Sequence, residues 1–199
     1  MKLLAKVPYD VDKSYEFYND RLVIEEAEYF YKDIDGYGFG LTHSSTSIYL
    51  VPVGNSSSYI FRLWIGDKMY GLNKSASNVM LFKNKKQRTI DMIFSELVQC
   101  VEAFIAPEVY KKNIDLYFEQ GWINLGEITL RDGVLYKKGF FGTKELSLNE
   151  YGFTSIQQGT VNIYNSNKKL FYSCSLTEYN APLIGVFLDA LTGRFEEDG

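Results

Sequence analysis

His43 is the only histidine in the chain, and a Ser or Cys nucleophile ordinarily needs such a residue as its base. It stands in Thr42-His43-Ser44-Ser45-Thr46-Ser47, a polar loop or strand start, and no G-x-S-x-G elbow accompanies it. It is read as a solvated side chain. Cys100 falls in a helical pattern and Cys174 in a strand pattern, so both are expected to be reduced core residues rather than activated thiolates or a bridge. One His and two distant Cys cannot cage zinc, and no Asp-x-Asp-x-Asp-Gly calcium loop is present. The acidic clusters Glu25-Glu26-x-Glu28 and Glu196-Glu197-Asp198 are read as a solvated edge strand and a terminal tail. Gly36-x-Gly38-x-Gly40 lacks the G-x-G-x-x-G spacing and a following helix, and is read as strand glycines at a bend or bulge. No catalytic set, metal site or cofactor is therefore expected.

Two basic groups remain: Lys83, Lys85, Lys86 and Arg88, then Lys137, Lys138 and Lys144. A polybasic segment gains about 1 kcal/mol per Lys or Arg near an anionic membrane, so each group is a candidate for weak lipid or anion recruitment. The competing reading is a solvated loop that keeps the surface soluble. Phe140-Phe141, between Gly139 and Gly142, is either ordinary core or an exposed pair for a membrane or a partner groove.

These residues must be positioned by a chain of 199 residues with 46% hydrophobic and 16% aromatic content, including 16 Tyr and 14 Phe. Such aromatics favour pleated, half-buried surfaces, and so a β-rich protein. The formal net charge is −4. Residues 1–106 hold 12 basic and 13 acidic groups and residues 107–199 hold 9 and 12, so neither half is basic. A nucleic-acid partner is disfavoured, because phosphate backbones demand clustered positive charge. The first eight residues have no secretory character and no window reaches the length of a membrane span, so a cytoplasmic protein is expected.

An internal echo organises the chain. Tyr37-Gly38-Phe39, Ile48-Tyr49, the run Tyr59–Ile65 and a helical pattern from about Thr89 to Ala106 are followed by Tyr151-Gly152-Phe153, Ile163-Tyr164, the run Leu170–Leu176 and a helical pattern from about Ala181 to Leu191. Asp132-Gly133, between two runs of β-formers, predicts a two-residue hairpin. Further turns are expected at Gly54-Asn55-Ser56, Gly66-Asp67 and Asn165-Ser166-Asn167. Ile90, Ile93, Phe94, Leu97 and Val101 form one helical stripe, and Leu183, Val186, Phe187, Ala190 and Leu191 another. Asn180 suits an N-cap and Gly193 a helix stop. Pro107-Glu108 is expected to open a separate helix with Tyr110, Ile114, Tyr117 and Phe118 on one face, ending at Gly121. Its counterpart would be Ser14–Asp20, ahead of a first strand Arg21–Ile24.

A strand meander closed by an amphipathic helix, repeated in about 100 residues, resembles a tandem of bacterial pleckstrin-homology-like (PH-like) domains. The second copy resembles it more clearly, from Trp122-Ile123-Asn124-Leu125-Gly126-Glu127-Ile128 through Asp132-Gly133-Val134-Leu135-Tyr136 to the helix after Thr177-Glu178-Tyr179-Asn180. The resemblance implies an α+β, β-rich fold of two half-open antiparallel barrels, each plugged by its C-terminal helix. Two features depart from it: neither closing helix contains Trp, and Asn73–Arg88 reads as an insertion before the first one. The family's phosphoinositide-reading pattern is also unmatched at Lys137–Lys144. The expected domains are residues 1–106 and 107–199. The expected function is a noncatalytic protein-binding or scaffold protein that meets its partner at strand edges or the groove between sheet and helix. The alternatives are an anionic-membrane protein using the basic loops, and an enzyme with a cleft between the units.

Overall fold

The computed structural model describes residues 2–48, 51–78, 85–139 and 142–193. The fold is α+β and strand-rich, built of four antiparallel sheets and their helices. Two compact units divide it. The first takes residues 1–35 and 39–109, and the second takes residues 36–38 and 110–199.

In the first unit, β1 (Leu3–Asp10), β2 (Lys13–Tyr18), β3 (Arg21–Ile24) and β4 (Ala27–Phe30) form a four-stranded meander. A 3-10 turn at Tyr31–Asp33 leads to a second meander of β5 (Gly36–Ile48), β6 (Val51–Ile65) and β7 (Lys68–Asn78), and then to helix α1 (Lys85–Cys100). Alternation decides the strands: Tyr15 and Phe17 are buried while their neighbours are not, which is why Ser14–Asp20 forms most of β2 rather than the expected helix. Arg21–Ile24 is accordingly the third strand. Gly54-Asn55-Ser56 lies inside β6 instead of turning, because the ladder to β7 continues as far as Asn55 opposite Asn78. For the same reason, Asn73–Asn78 of the expected insertion is strand. Helix α1 lays Ile90, Phe94 and Leu97 into the core, with Phe94 edge-on to Tyr59 at 5.5 Å.

Pro107 stands in the first turn of a helix that ends just before Gly121, as expected, but no loop separates that helix from α1. A π-helical turn at Val101–Ile105, in which the Ala106 N–H donates to the Val101 carbonyl, joins α1 to α2 (Ala106–Gln120). The widened turn accommodates a proline that has no N–H and would crowd the carbonyl four residues back. Phe104 of this turn stacks on Tyr31, with ring centres 6.1 Å apart.

The second unit repeats the element order. β8 (Trp122–Leu125), β9 (Ile128–Arg131), β10 (Val134–Gly139) and β11 (Gly142–Ser147) form four strands, followed by a 3-10 turn at Leu148–Glu150. Three more strands, β12 (Tyr151–Gln157), β13 (Thr160–Asn165) and β14 (Leu170–Ser175), precede a 3-10 turn and α3 (Ile184–Leu191). Asp132-Gly133 makes the tight β9–β10 turn, with φ of 49° and 75°. Tyr110, Ile114 and Tyr117 of α2 pack on this core, whereas Phe118 points out, 73% exposed. Gly193 ends α3 at φ 67°, as its position predicts.

The two Tyr-Gly-Phe triplets open β5 and β12, the first strands of their three-stranded sheets. The middle of the echo does not correspond: Ile48 ends β5 while Ile163-Tyr164 lies in β13, and Tyr59–Ile65 lies in β6 while Leu170–Ser175 is β14. Both triplets bury the tyrosine and crowd the glycine. A Cβ on Gly152 would stand 2.2 Å from the Asn165 carbonyl oxygen, and one on Gly38 would stand 2.8 Å from the Thr177 and Glu178 carbonyl oxygens. The glycines of the 36–38 segment thus serve close backbone approach. Asn180, at φ 54°, holds the N-cap position of the 3-10 turn before α3 but spends its side chain on this contact: its Oδ1 accepts from the Tyr37 N–H at 3.2 Å, and its own N–H donates to the Tyr37 carbonyl at 3.1 Å.

Candidate functional site

Among the described residues no group of three or more His, Cys, Asp or Glu is arranged to hold a metal ion. Cys100 and Cys174 are buried and unpaired, and burial pushes both thiols up, away from the reactive thiolate. His43 belongs to β5. Lys83, Phe140-Phe141 and Glu196-Glu197-Asp198 lie outside the described residues. Glu25 and Glu26 are not on an edge strand; they form the β3–β4 turn, with φ of 50° and 72°.

In the first unit, Lys85, Lys86 and Arg88 fall in the first turn of α1 rather than ahead of it, and the first two meet a cavity of about 470 Å³ lined by Tyr9, Leu72, Lys74, Lys85, Lys86, Thr89, Ile90 and Ile93. Its lining follows from two periodicities. Leu72 and Lys74 share one face of β7, and Lys86, Ile90 and Ile93 share one stripe of α1. Leu72 and Ile90 form an apolar floor, and the lysines stand above it. The Lys74 ammonium is 3.9 Å from the Asp10 carboxylate. The Tyr9 hydroxyl donates to Glu25 at 3.0 Å, and burial ahead of that bond pushes it up to about 12. Arg88 is exposed but does not line the cavity. Lys74 was not among the sequence candidates, since its strand reads there as an insertion; its signal is a cation flanked two residues away on each side by buried Leu72 and Ala76.

The second basic group separates. Lys137 and Lys144 are opposite one another on β10 and β11, and Lys138 projects to the other face of the sheet. Lys137 is engaged, donating to Glu127 and lying 5.0 Å over the centre of the Tyr172 ring. Lys138 and Lys144 are exposed.

A different feature of the second unit was not singled out as residues in the sequence. Strand β12 has one strand neighbour, β13, among the described residues. Thr154 and Ile156 lie opposite Ile163 and Val161, both of which are buried in the core. Thr154 is covered by α3, where Gly185 leaves just enough room: a Cβ there would meet the Thr154 methyl at 3.4 Å. Ile156 is 59% exposed on this strand, which also carries Phe153, stacked on Tyr164 at 4.7 Å. Val186 of α3 is exposed as well.

No protein-family model matches the chain, and neither the curated proteins nor the solved structures contain a match. No helix of the described residues is long and apolar enough to cross a membrane.

Proposed function

We propose that this is a noncatalytic, cytoplasmic protein-binding or scaffold protein of two PH-like units, which takes up an extended segment of a partner protein along β12. Four strands, a 3-10 turn, three strands and a helix in each unit support the PH-like reading. Ile156 carries the binding reading: it sits on the core-facing side of a strand with no second strand neighbour among the described residues, and it is 59% exposed. An added strand would satisfy the edge groups of β12 and bury Ile156 at once. Pull-down of the intact chain followed by mass spectrometry should recover a partner that Ile156→Glu loses, with circular dichroism unchanged. A partner retained in full by the folded variant would refute the site. Failure to recover any protein, combined with flotation on anionic liposomes that requires Lys85, Lys86 and Arg88, would replace this reading with membrane recruitment.

A further inference from the structure

Independently of the β12 edge, we infer that the cavity between α1, β7 and Tyr9 binds a single-chain anionic amphiphile, with its carboxylate at Lys74, Lys85 and Lys86 and its chain over Leu72, Ile90 and Ile93. A volume of about 470 Å³ lies within the range of small-molecule sites, roughly 300–1,000 Å³. The charge is one-sided: among the described lining residues there are three ammonium groups and no carboxylate. Lys85 and Lys86 have no ion pair with a described residue, and the one Asp10 contact of Lys74 is long, with both partners partly exposed. The first turn of α1 adds no acid to balance them. An inorganic anion would answer the charge but leave the half-buried Ile93, and the apolar lining continuous with it, uncovered. A neutral chain would cover those residues but leave the ammonium groups without a partner. Only a ligand that is anionic at one end and apolar along its length satisfies both halves of the lining.

Calorimetric titration of the full chain with monomeric dodecanoate tests this. One-to-one binding is expected, weakened about tenfold when the chain is shortened by two methylenes, as the transfer free energy of a buried CH₂ requires. Dodecanol and acetate should each bind at least tenfold more weakly than dodecanoate. The paired variant Lys85→Glu, Lys86→Glu should lose at least tenfold in affinity, and Ile93→Asn should lose a similar amount, while Lys111→Glu on α2 should match the wild type. Circular dichroism of each variant guards against unfolding. Equal affinity for dodecanoate and dodecanol, undiminished binding by the lysine variant, or binding only to phosphatidylserine vesicles would each overturn the inference. Loss of the β12 partner in Ile156→Glu with dodecanoate binding retained would show that the two sites stand or fall separately.

Discussion

The β3–β4 hairpin of the first unit joins the third and fourth strands of its sheet and the β9–β10 hairpin of the second joins the second and third, yet both reach the same left-handed turn, with unlike residues. Asp132-Gly133 suits it, since glycine carries no penalty at positive φ. Glu25-Glu26 does not, at about 1 kcal/mol or more per residue. Two contacts hold Glu25 there: Tyr9 donates to it at 3.0 Å, and Lys13 donates to it at 2.5 Å. The closing helices show the same substitution of means. The Tyr59 hydroxyl from β6 donates to Asp91 of α1, and the Tyr151 hydroxyl from β12 donates to Asp189 of α3 at 2.8 Å. The tyrosine comes from the second strand of one sheet and the first strand of the other. What recurs between the units is a demand, a tight turn here and a tied helix there, and each unit meets it with the residues in reach.

The comparison breaks most visibly at the glycines. Gly152→Ala in the second unit forces a Cβ against a carbonyl oxygen and should cost about 3 kcal/mol or more, whereas Gly71→Ala in the first, 3.3 Å from the Phe61 carbonyl, should stay within about 1 kcal/mol of neutral. Urea denaturation measures both, and equal costs would show that the approach of Gly152 to the Asn165 carbonyl is not held as tightly as its geometry states.

A smaller effect concerns alkaline stability of the first unit. Burial, first of all, pushes the Tyr31 hydroxyl, which donates to the Tyr18 carbonyl at 2.6 Å, from 10.0 up to about 12. Below pH 10 the folded and unfolded chains are alike protonated, and the stability is complete. Between pH 10 and about 12 the unfolded chain ionises first, so stability is lost as pH rises, by up to about 3 kcal/mol for this group. Tyr31→Phe should begin less stable at pH 8 and fall less steeply above pH 10. Parallel profiles for the two proteins would remove the assignment.

The smallest effect should invert between the two hairpins. Glu26→Gly is expected to stabilise the first unit by about 1 kcal/mol, and Gly133→Ala to destabilise the second by a similar amount, both read from thermal unfolding. Changes of the same sign would mean that the Glu25 contacts, rather than the backbone angle, dominate the first turn.

Features governed by near neighbours were legible in the sequence. Asp132-Gly133, the Gly193 stop, the stripe of Ile90, Phe94 and Leu97 and the buried state of both cysteines depend on spacing and side-chain type. The first hairpin was missed because Glu25-Glu26 carries no turn chemistry of its own. β2 was missed because Tyr15 and Phe17 suit a helix face or a strand face until a neighbouring strand covers one side. Lys85, Lys86 and Arg88 were found as a basic group; that Lys74 and Tyr9 join the first two around one cavity depends on strands more than ten residues away along the chain.

Residue types and their spacing were enough for two β-rich halves of low net charge, their closing amphipathic helices and a single histidine. Tertiary structure alone decided where the glycine pair 36 and 38 belongs. Asn180 binds the Tyr37 backbone across 143 residues of chain, and that segment joins the second unit. The reason is physical. Periodicity and turn preference act over a few bonds and are written in residue type, whereas a backbone approach of this kind exists only after distant segments have been packed together.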